Sequence, residues 1–87
     1  MTREHIESKL REFIDQTVLR GQGSDLTRNT ALFELGILDS FAMFAVISFI
    51  EREFGVTLRL ESLTADDFHD IGSIAGLVQS RLSVAAS

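Results

Sequence analysis

The chain is 87 residues long, with 13 acidic and 8 basic side chains, a formal net charge of −5 and 45% hydrophobic residues. That length allows one domain, the apolar content is too high for a disordered chain, and the acidic balance lacks the clustered Lys and Arg that nucleic-acid binding needs. Cysteine is absent, which removes disulfides, thiolate metal sites and cysteine nucleophiles from the polypeptide and is natural in a reducing compartment.

The segment Met1-Thr2-Arg3-Glu4-His5-Ile6-Glu7 places charges where a secretory signal would have its apolar core. The longest apolar stretch, Phe41 to Ile50, is shorter than the ~20 residues of a membrane span. The expectation is a soluble cytoplasmic monomer with no membrane insertion.

Proline is absent, so no residue type forces a break in helical structure. From Thr2 to Leu19 the apolar residues Ile6, Leu10, Phe13, Ile14 and Val18 recur at helical spacing. Thr2 is placed to cap this helix, and Glu4 in its first turn suits the positive end of the dipole. Gly21-Gln22-Gly23-Ser24-Asp25 ends it and opens a long connection. Connections of that length pack or function, and Leu32, Phe33, Leu35, Ile37 and Leu38 predict that part of this one folds onto the core.

A second helix is predicted from near Ser40 to Phe54, with Gly55 just past its end. Val56-Thr57-Leu58 is β-like in propensity but has no partner strand, so it reads as extended linker. A short helix follows Thr64, which can cap while Asp67 reaches back in a capping-box pattern. The last helix is predicted from Ser73, behind Gly72, to near Leu82, with Ile74, Leu77, Val78 and Leu82 on its apolar stripe. Gly76 inside it costs about 1 kcal/mol against Ala, which points to another helix passing close by. The fold class is therefore all-α, with three longer helices, one short helix and a long first loop. Residues 1–83 form the domain and 84–87 a flexible tail.

The second helix carries the most information. Placed at about 100° per residue, Met43, Val46, Ile47, Ile50 and Phe54 form one stripe, the core face, while Phe41, Phe44, Ala45, Ser48 and Arg52 point the other way. A helix apolar all round needs a larger protein than this to bury it. Two placements are open: Phe41 tucks under the long loop with Phe44 at a boundary, or Phe41, Phe44 and Ala45 form a small docking patch for other proteins.

Directly before this helix stands Phe33-Glu34-Leu35-Gly36-Ile37-Leu38-Asp39-Ser40-Phe41. Asp39 and Ser40 lie at a helix N-terminus, where either can cap free backbone N–H groups. A nucleophilic serine would need a base and a triad context; the chain has no G-x-S-x-G, and His5 and His69 fall in separate helices. A serine hydroxyl at a helix N-terminus has a second use, because the dipole and unpaired amides there stabilise a phosphate ester. Asp66, Asp67, His69 and Asp70 read as a solvated, capping helix end rather than metal ligands. Arg28 and Arg59 read as surface charge.

The segment Leu35 to Gly55, with Asp39-Ser40-Phe41 opening a helix that closes at Glu53-Phe54-Gly55, resembles the modification site of acyl and peptidyl carrier proteins. Leu63-Thr64-Ala65-Asp66-Asp67-Phe68 and Ile71-Gly72-Ser73-Ile74-Ala75 resemble the third and fourth helices of the same family, and the first helix fits its four-helix bundle. The likeness covers about the last two thirds of the chain. It implies a non-catalytic carrier on which Ser40 is esterified with 4′-phosphopantetheine from coenzyme A, with Asp39 as the adjacent acidic residue of the motif. A magnesium-dependent phosphopantetheinyl transferase would perform that step, so the carrier needs no base of its own. The arm's thiol would then hold an acyl or aminoacyl group as a thioester. Implied partners are that transferase, an acyl- or amino-acid-activating ligase and a downstream transferase or synthase, with Phe41, Phe44, Ala45 and Leu38 on the contact surface.

The sequence departs from the family's commonest motif, Gly-x-Asp-Ser-Leu: two residues separate Gly36 from Asp39, and Phe41 replaces Leu. This variant resembles D-alanyl carrier proteins of cell-envelope modification and stand-alone carriers of secondary metabolism or amino-acid transfer. Fatty-acid carriers place acidic residues along the second helix, where this chain has Ala42 and Ala45, with acid only at Glu51 and Glu53. Electrostatic steering should be weaker and a drier contact through Phe41 and Phe44 stronger. The competing class is an unmodified helical interaction module in which Ser40 only caps.

Overall fold

The computed structural model describes residues 2–19 and 26–86. Helix α1 spans Arg3–Phe13 and is capped by Thr2, whose side chain accepts from the His5 N–H at 3.1 Å. Its continuation, Ile14–Val18, winds as a π-helical turn closed by Leu19 N–H on the Ile14 carbonyl at 3.0 Å. The predicted first helix is thus helical from Arg3 to Val18, with its last turn wound wider than an α-helix. The predicted break at Gly21 to Asp25 lies outside the described residues.

Helix α2 spans Ser40–Phe54 and α3 spans Ile71–Ala86. Between them lie two 3-10 turns, Leu60–Ser62 and Ala65–Phe68. Thr64 and Asp67 form the expected capping box around the second of these, Thr64 N–H donating to Asp67 Oδ2 at 3.0 Å. The described residues contain no strand, and Val56-Thr57-Leu58 is extended linker, as its lack of a partner required.

Helix α3 begins two residues earlier than Ser73 because Asp70, not Gly72, precedes its first turn. The Asp70 carboxylate accepts the Ser73 N–H at 2.7 Å, and its carbonyl accepts the Ile74 N–H at 3.1 Å. The helix also runs past Leu82 to Ala86, so residues 84–86 continue it where a tail was expected. Gly76 does receive a close neighbour from α1: a Cβ there would lie 3.5 Å from Arg3 Nη2, which donates to the Gly72 carbonyl at 2.8 Å.

The core is contiguous. α1 contributes Ile6, Leu10 and Ile14; α2 contributes Ala42, Val46, Ile47, Ile50 and Phe54; α3 contributes Ile71, Ile74, Ala75 and Val78. Phe68 of the short helix is fully buried among them. Four of the five residues predicted for the core face of α2 are buried, and Met43 packs partly against the cluster. Each fully buried aliphatic side chain stabilises the fold by roughly 1.5–3 kcal/mol. On the α1–α2 seam, Phe13 stacks on Phe49 with ring centroids 4.2 Å apart, and Phe49 meets Phe54 edge-on at 6.1 Å.

The long loop is pinned from inside. Leu26, Leu32 and Leu38 are buried, Phe33 and Ile37 pack partly against the core, and Leu35 is 66% exposed. Leu35 therefore differs from the expectation that it joins the core. It sits beside Gly36, whose φ of +73° turns the chain and leaves the preceding side chain outside.

Candidate functional site

The Asp39-Ser40-Phe41 segment is held by the backbone bonds of the preceding loop and by a side-chain cap. The Leu32 carbonyl accepts both the Ile37 N–H at 2.9 Å and the Leu38 N–H at 3.1 Å, closing the loop just before Asp39. Asp39 is extended and caps α2: its Oδ1 accepts the Ala42 N–H at 2.8 Å, and its carbonyl accepts the Met43 N–H at 2.8 Å. The cap is therefore Asp39, which leaves the Ser40 hydroxyl without a capping duty.

Ser40 is the first residue of α2 and is exposed, and no described group hydrogen-bonds its hydroxyl. The first turn of α2 holds no acidic side chain. First-turn amides lack helical acceptors and the dipole is positive there, so an anion esterified to this oxygen is favoured. These residues fit a phosphate ester: an accessible alcohol, free amides beside it, and a neighbouring carboxylate already turned to the helix end.

The flanking residues divide. Phe41 is 85% exposed and Phe44 56% exposed, which settles the two open placements for Phe41 in favour of the surface. Ala45 is half-buried, and Ser48 and Arg52 are exposed on the same helix. Leu38 is corrected: only 2% of it is exposed, so it anchors the loop and offers nothing to a partner. Leu35 is the large apolar side chain that the loop does expose. The signal for it was its place directly before a glycine that turns the chain.

The two acids of α2 differ in setting: Glu51 is half-buried, whereas the Glu53 side chain is 40% exposed. Glu51 Oε2 accepts the Leu58 N–H at 3.0 Å, and Glu53 pairs with Lys9 of α1 at 3.6 Å. Among the described residues no group of three or more His, Cys, Asp or Glu side chains converges on a point. Asp67 and Asp70 act as caps, and Asp70 Oδ2 lies 3.3 Å from His69 Nδ1. Partial burial disfavours the Asp70 anion, but hydrogen bonds from the Ser73 backbone and hydroxyl and from His69 outweigh it and hold the carboxyl below its ordinary range.

Arg28 is not free surface charge. Its Nη2 lies 2.9 Å from Glu7 Oε2, an oxygen that receives no aligned hydrogen bond, so the contact is coulombic. Arg3 Nε approaches the same oxygen at 3.5 Å, and the Arg28 carbonyl accepts the Gly72 N–H at 3.0 Å. A shallow cleft of about 250 Å³ opens beside this junction, lined by Glu4, Glu7, Ser8, Arg11, Leu26, Thr27, Arg28 and Ile71. None of its residues belongs to the Ser40 segment. Arg59 is exposed.

Residues 8–79 match the family described as phosphopantetheine attachment site. A probable acyl carrier protein PigG from Serratia sp. (strain ATCC 39006) is 35% identical over 74 residues, covering 85% of this chain and 85% of that protein. Among solved structures, a chain in one described as the crystal structure of FAD-dependent dehydrogenase superposes with a TM-score of 0.74 at 33% identity. The overlap covers 79% of this chain and 97% of that one.

Proposed function

Since the chain belongs to the phosphopantetheine attachment-site family, and is thereby a carrier rather than a catalyst, we propose that Ser40 Oγ is the atom that bears its covalent 4′-phosphopantetheine. The observation that carries this assignment is an exposed, unengaged hydroxyl at the first position of α2, with the cap supplied by Asp39 instead. When bound, the arm supplies a terminal thiol on which an acyl or aminoacyl group travels as a thioester.

This chain's own residues have limited work in attachment. Asp39 fixes the helix start and, through it, the direction of Ser40; the free amides of the first turn favour the phosphate's negative charge. The Ser40 Oγ–phosphorus bond forms as the pyrophosphate bond of coenzyme A breaks, the adenosine bisphosphate leaves, and the transferase takes the serine proton. Carriers of this family are served in general by such a transferase and by biosynthetic enzymes. The departures from the fatty-acid pattern favour secondary metabolism or amino-acid transfer as the setting.

Intact mass after incubation with coenzyme A, magnesium and a broad-specificity phosphopantetheinyl transferase tests the assignment. The expected result is one phosphopantetheinyl unit on the wild type and none on Ser40→Ala, with helical content unchanged. An unmodified wild type with several transferases, or a modified Ser40→Ala, overturns it.

One comparison supports a more specific partner. The overlapping chain in the FAD-dependent dehydrogenase structure is shorter than this one, too short to hold a flavin-binding dehydrogenase itself. We read it as a carrier-sized companion of that enzyme and propose a flavin-dependent dehydrogenase among this chain's partners. Such an enzyme would remove two hydrogens from the tethered cargo, one as hydride to the flavin and one as a proton to a base. Loading this chain from a panel of acyl- and aminoacyl-coenzyme A donors and mixing it with that dehydrogenase should bleach the flavin and lower the cargo mass by two hydrogens. No bleaching with any cargo removes this partner and leaves Ser40 attachment standing.

A further inference from the structure

We propose that Gly72, at the entry to α3, is a positioning residue for Ser40: the loop that carries the serine is seated on α3 at this glycine, and α3 together with α2 sets where the hydroxyl is offered. The proposal rests on the carrier reading above and concerns what holds Ser40 in place, not what docks on it.

Two backbone bonds seat the loop. The Arg28 carbonyl accepts the Gly72 N–H at 3.0 Å, and the Leu32 N–H donates to the His69 carbonyl at 2.9 Å. Among the described residues these are the backbone bonds that join the loop to another segment, and both end on the short stretch that leads into α3. That stretch is firmly built: Phe68 is fully buried, Ile71 is buried, and Asp70 caps the helix through the Ser73 N–H. From Leu32 the hold passes on toward the serine. The Leu32 carbonyl takes the Ile37 and Leu38 amides, and buried Leu38 directly precedes the Asp39 cap. A shift of Arg28 and Leu32 on α3 therefore carries Ser40 with it.

Gly72 controls that seating because the loop lies directly on it. A Cβ at Gly72 would be 3.4 Å from Arg28 Nε and 3.4 Å from the Arg28 carbonyl oxygen, so one methyl group fits at ordinary contact and a larger side chain meets backbone. The guanidinium does not simply swing aside, since its Nη2 lies 2.9 Å from Glu7 Oε2. One turn along the helix, Gly76 supplies the contrast. Its near neighbour is Arg3 Nη2 at 3.5 Å, the far end of a flexible, half-exposed side chain. A larger residue at Gly76 displaces a side chain; at Gly72 it displaces the loop.

The experiment compares wild type, Gly72→Ala, Gly72→Val and Gly76→Val by transferase kcat/KM with coenzyme A, thermal melting and amide hydrogen exchange. Both valine variants put the same β-branched side chain into α3, so a general loosening of that helix would slow loading in both. Gly72→Val should lower kcat/KM about tenfold, because small misplacements of a reacting group are costly, while Gly72→Ala and Gly76→Val stay within about twofold. In Gly72→Val the Leu32, Ile37 and Leu38 amides should lose protection, and the Gly55 amide, bonded to Glu51 at the far end of α2, should keep it. A folded Gly72→Val that loads like wild type, or a Gly76→Val that loses as much, overturns this proposal and leaves Ser40 attachment standing. Should Gly72→Val fail to fold, wild-type exchange decides: common opening of the Leu32, Ile37, Leu38 and Gly72 amides supports the seating, and opening of Leu38 without Leu32 and Gly72 overturns it. A wild type that never loads removes the Ser40 assignment first, and this proposal with it.

Discussion

The Leu32 backbone N–H donates to the His69 carbonyl at 2.9 Å, and so ties the loop that presents Ser40 to the elbow just before α3. The Leu32 carbonyl in turn accepts the amides of Ile37 and Leu38, and its side chain is fully buried. One residue thus links the core, the entry to α3 and the last turn before Asp39. Leu32→Ala should cost about 2–4 kcal/mol, the scale of a core truncation. Hydrogen exchange should show the Ile37 and Leu38 amides losing protection together with that of Leu32. Selective loss at Leu32 alone would mean that the three do not open as one unit.

Asp70 makes the stability of α3 depend on acid. Its folded pKa lies below the ordinary value, so its contribution is complete above about pH 4, near the unfolded value, and disappears as pH falls through the folded one. Asp70→Ala should lower stability at pH 7 by about 1 kcal/mol as a lost N-cap. Asp70→Asn keeps a capping oxygen and should cost less at pH 7. Urea midpoints should show the difference between wild type and the Asn variant shrinking steadily as pH drops below 4. A gap that grows in acid would contradict the capping geometry.

Much of this molecule is legible in its sequence because the signals are local. Thr2, Asp39 and the Thr64–Asp67 pair mark helix ends through side chains that bond within three residues of themselves, Gly55 marks one through its left-handed φ, and helical spacing alone separates the core face of α2 from its outer face. What could not be read depends on long-range placement. Leu35 and Leu38 have the same composition and lie three residues apart, yet one is exposed and the other buried, because the turn at Gly36 and the two bonds to the Leu32 carbonyl set their directions. Arg28 finds Glu7 and Gly72 only once three separate segments have met. The start of α3 is misplaced for a different reason: Gly72 reads as the break before the helix when it is the helix's second residue, behind the Asp70 cap.

Glu51 offers a clean separation of folding from recognition. It reaches past the left-handed Gly55, at φ +69°, to hold the buried Leu58 amide, so it fixes how the chain leaves α2. Glu51→Ala leaves that N–H without its acceptor and should cost about 1–3 kcal/mol. Glu51→Gln retains a carbonyl oxygen at the same reach and should recover most of the loss. Denaturant unfolding of the two variants checks this, and equal destabilisation by both would show that the charge and not the acceptor matters.

The junction of Glu7, Arg28 and Arg3 predicts an asymmetry between partners. Glu7 has a side chain only 15% exposed, whereas that of Arg28 is 53% exposed, so the two do not lose equally when the other is removed. Arg28→Ala leaves a largely desolvated carboxylate facing Arg3 alone at 3.5 Å, and the expected cost is about 1–2 kcal/mol. Glu7→Gln removes the buried charge and leaves an arginine that water can solvate, so it should cost under about 1 kcal/mol. In the double variant the Arg28 penalty should largely vanish, because no buried anion remains to be left unpaired. A double-mutant cycle read by urea unfolding at low and high salt measures this. Additive losses would show that the Arg28 side chain acts independently of Glu7, through its packing over Gly72, with the ion pair contributing nothing.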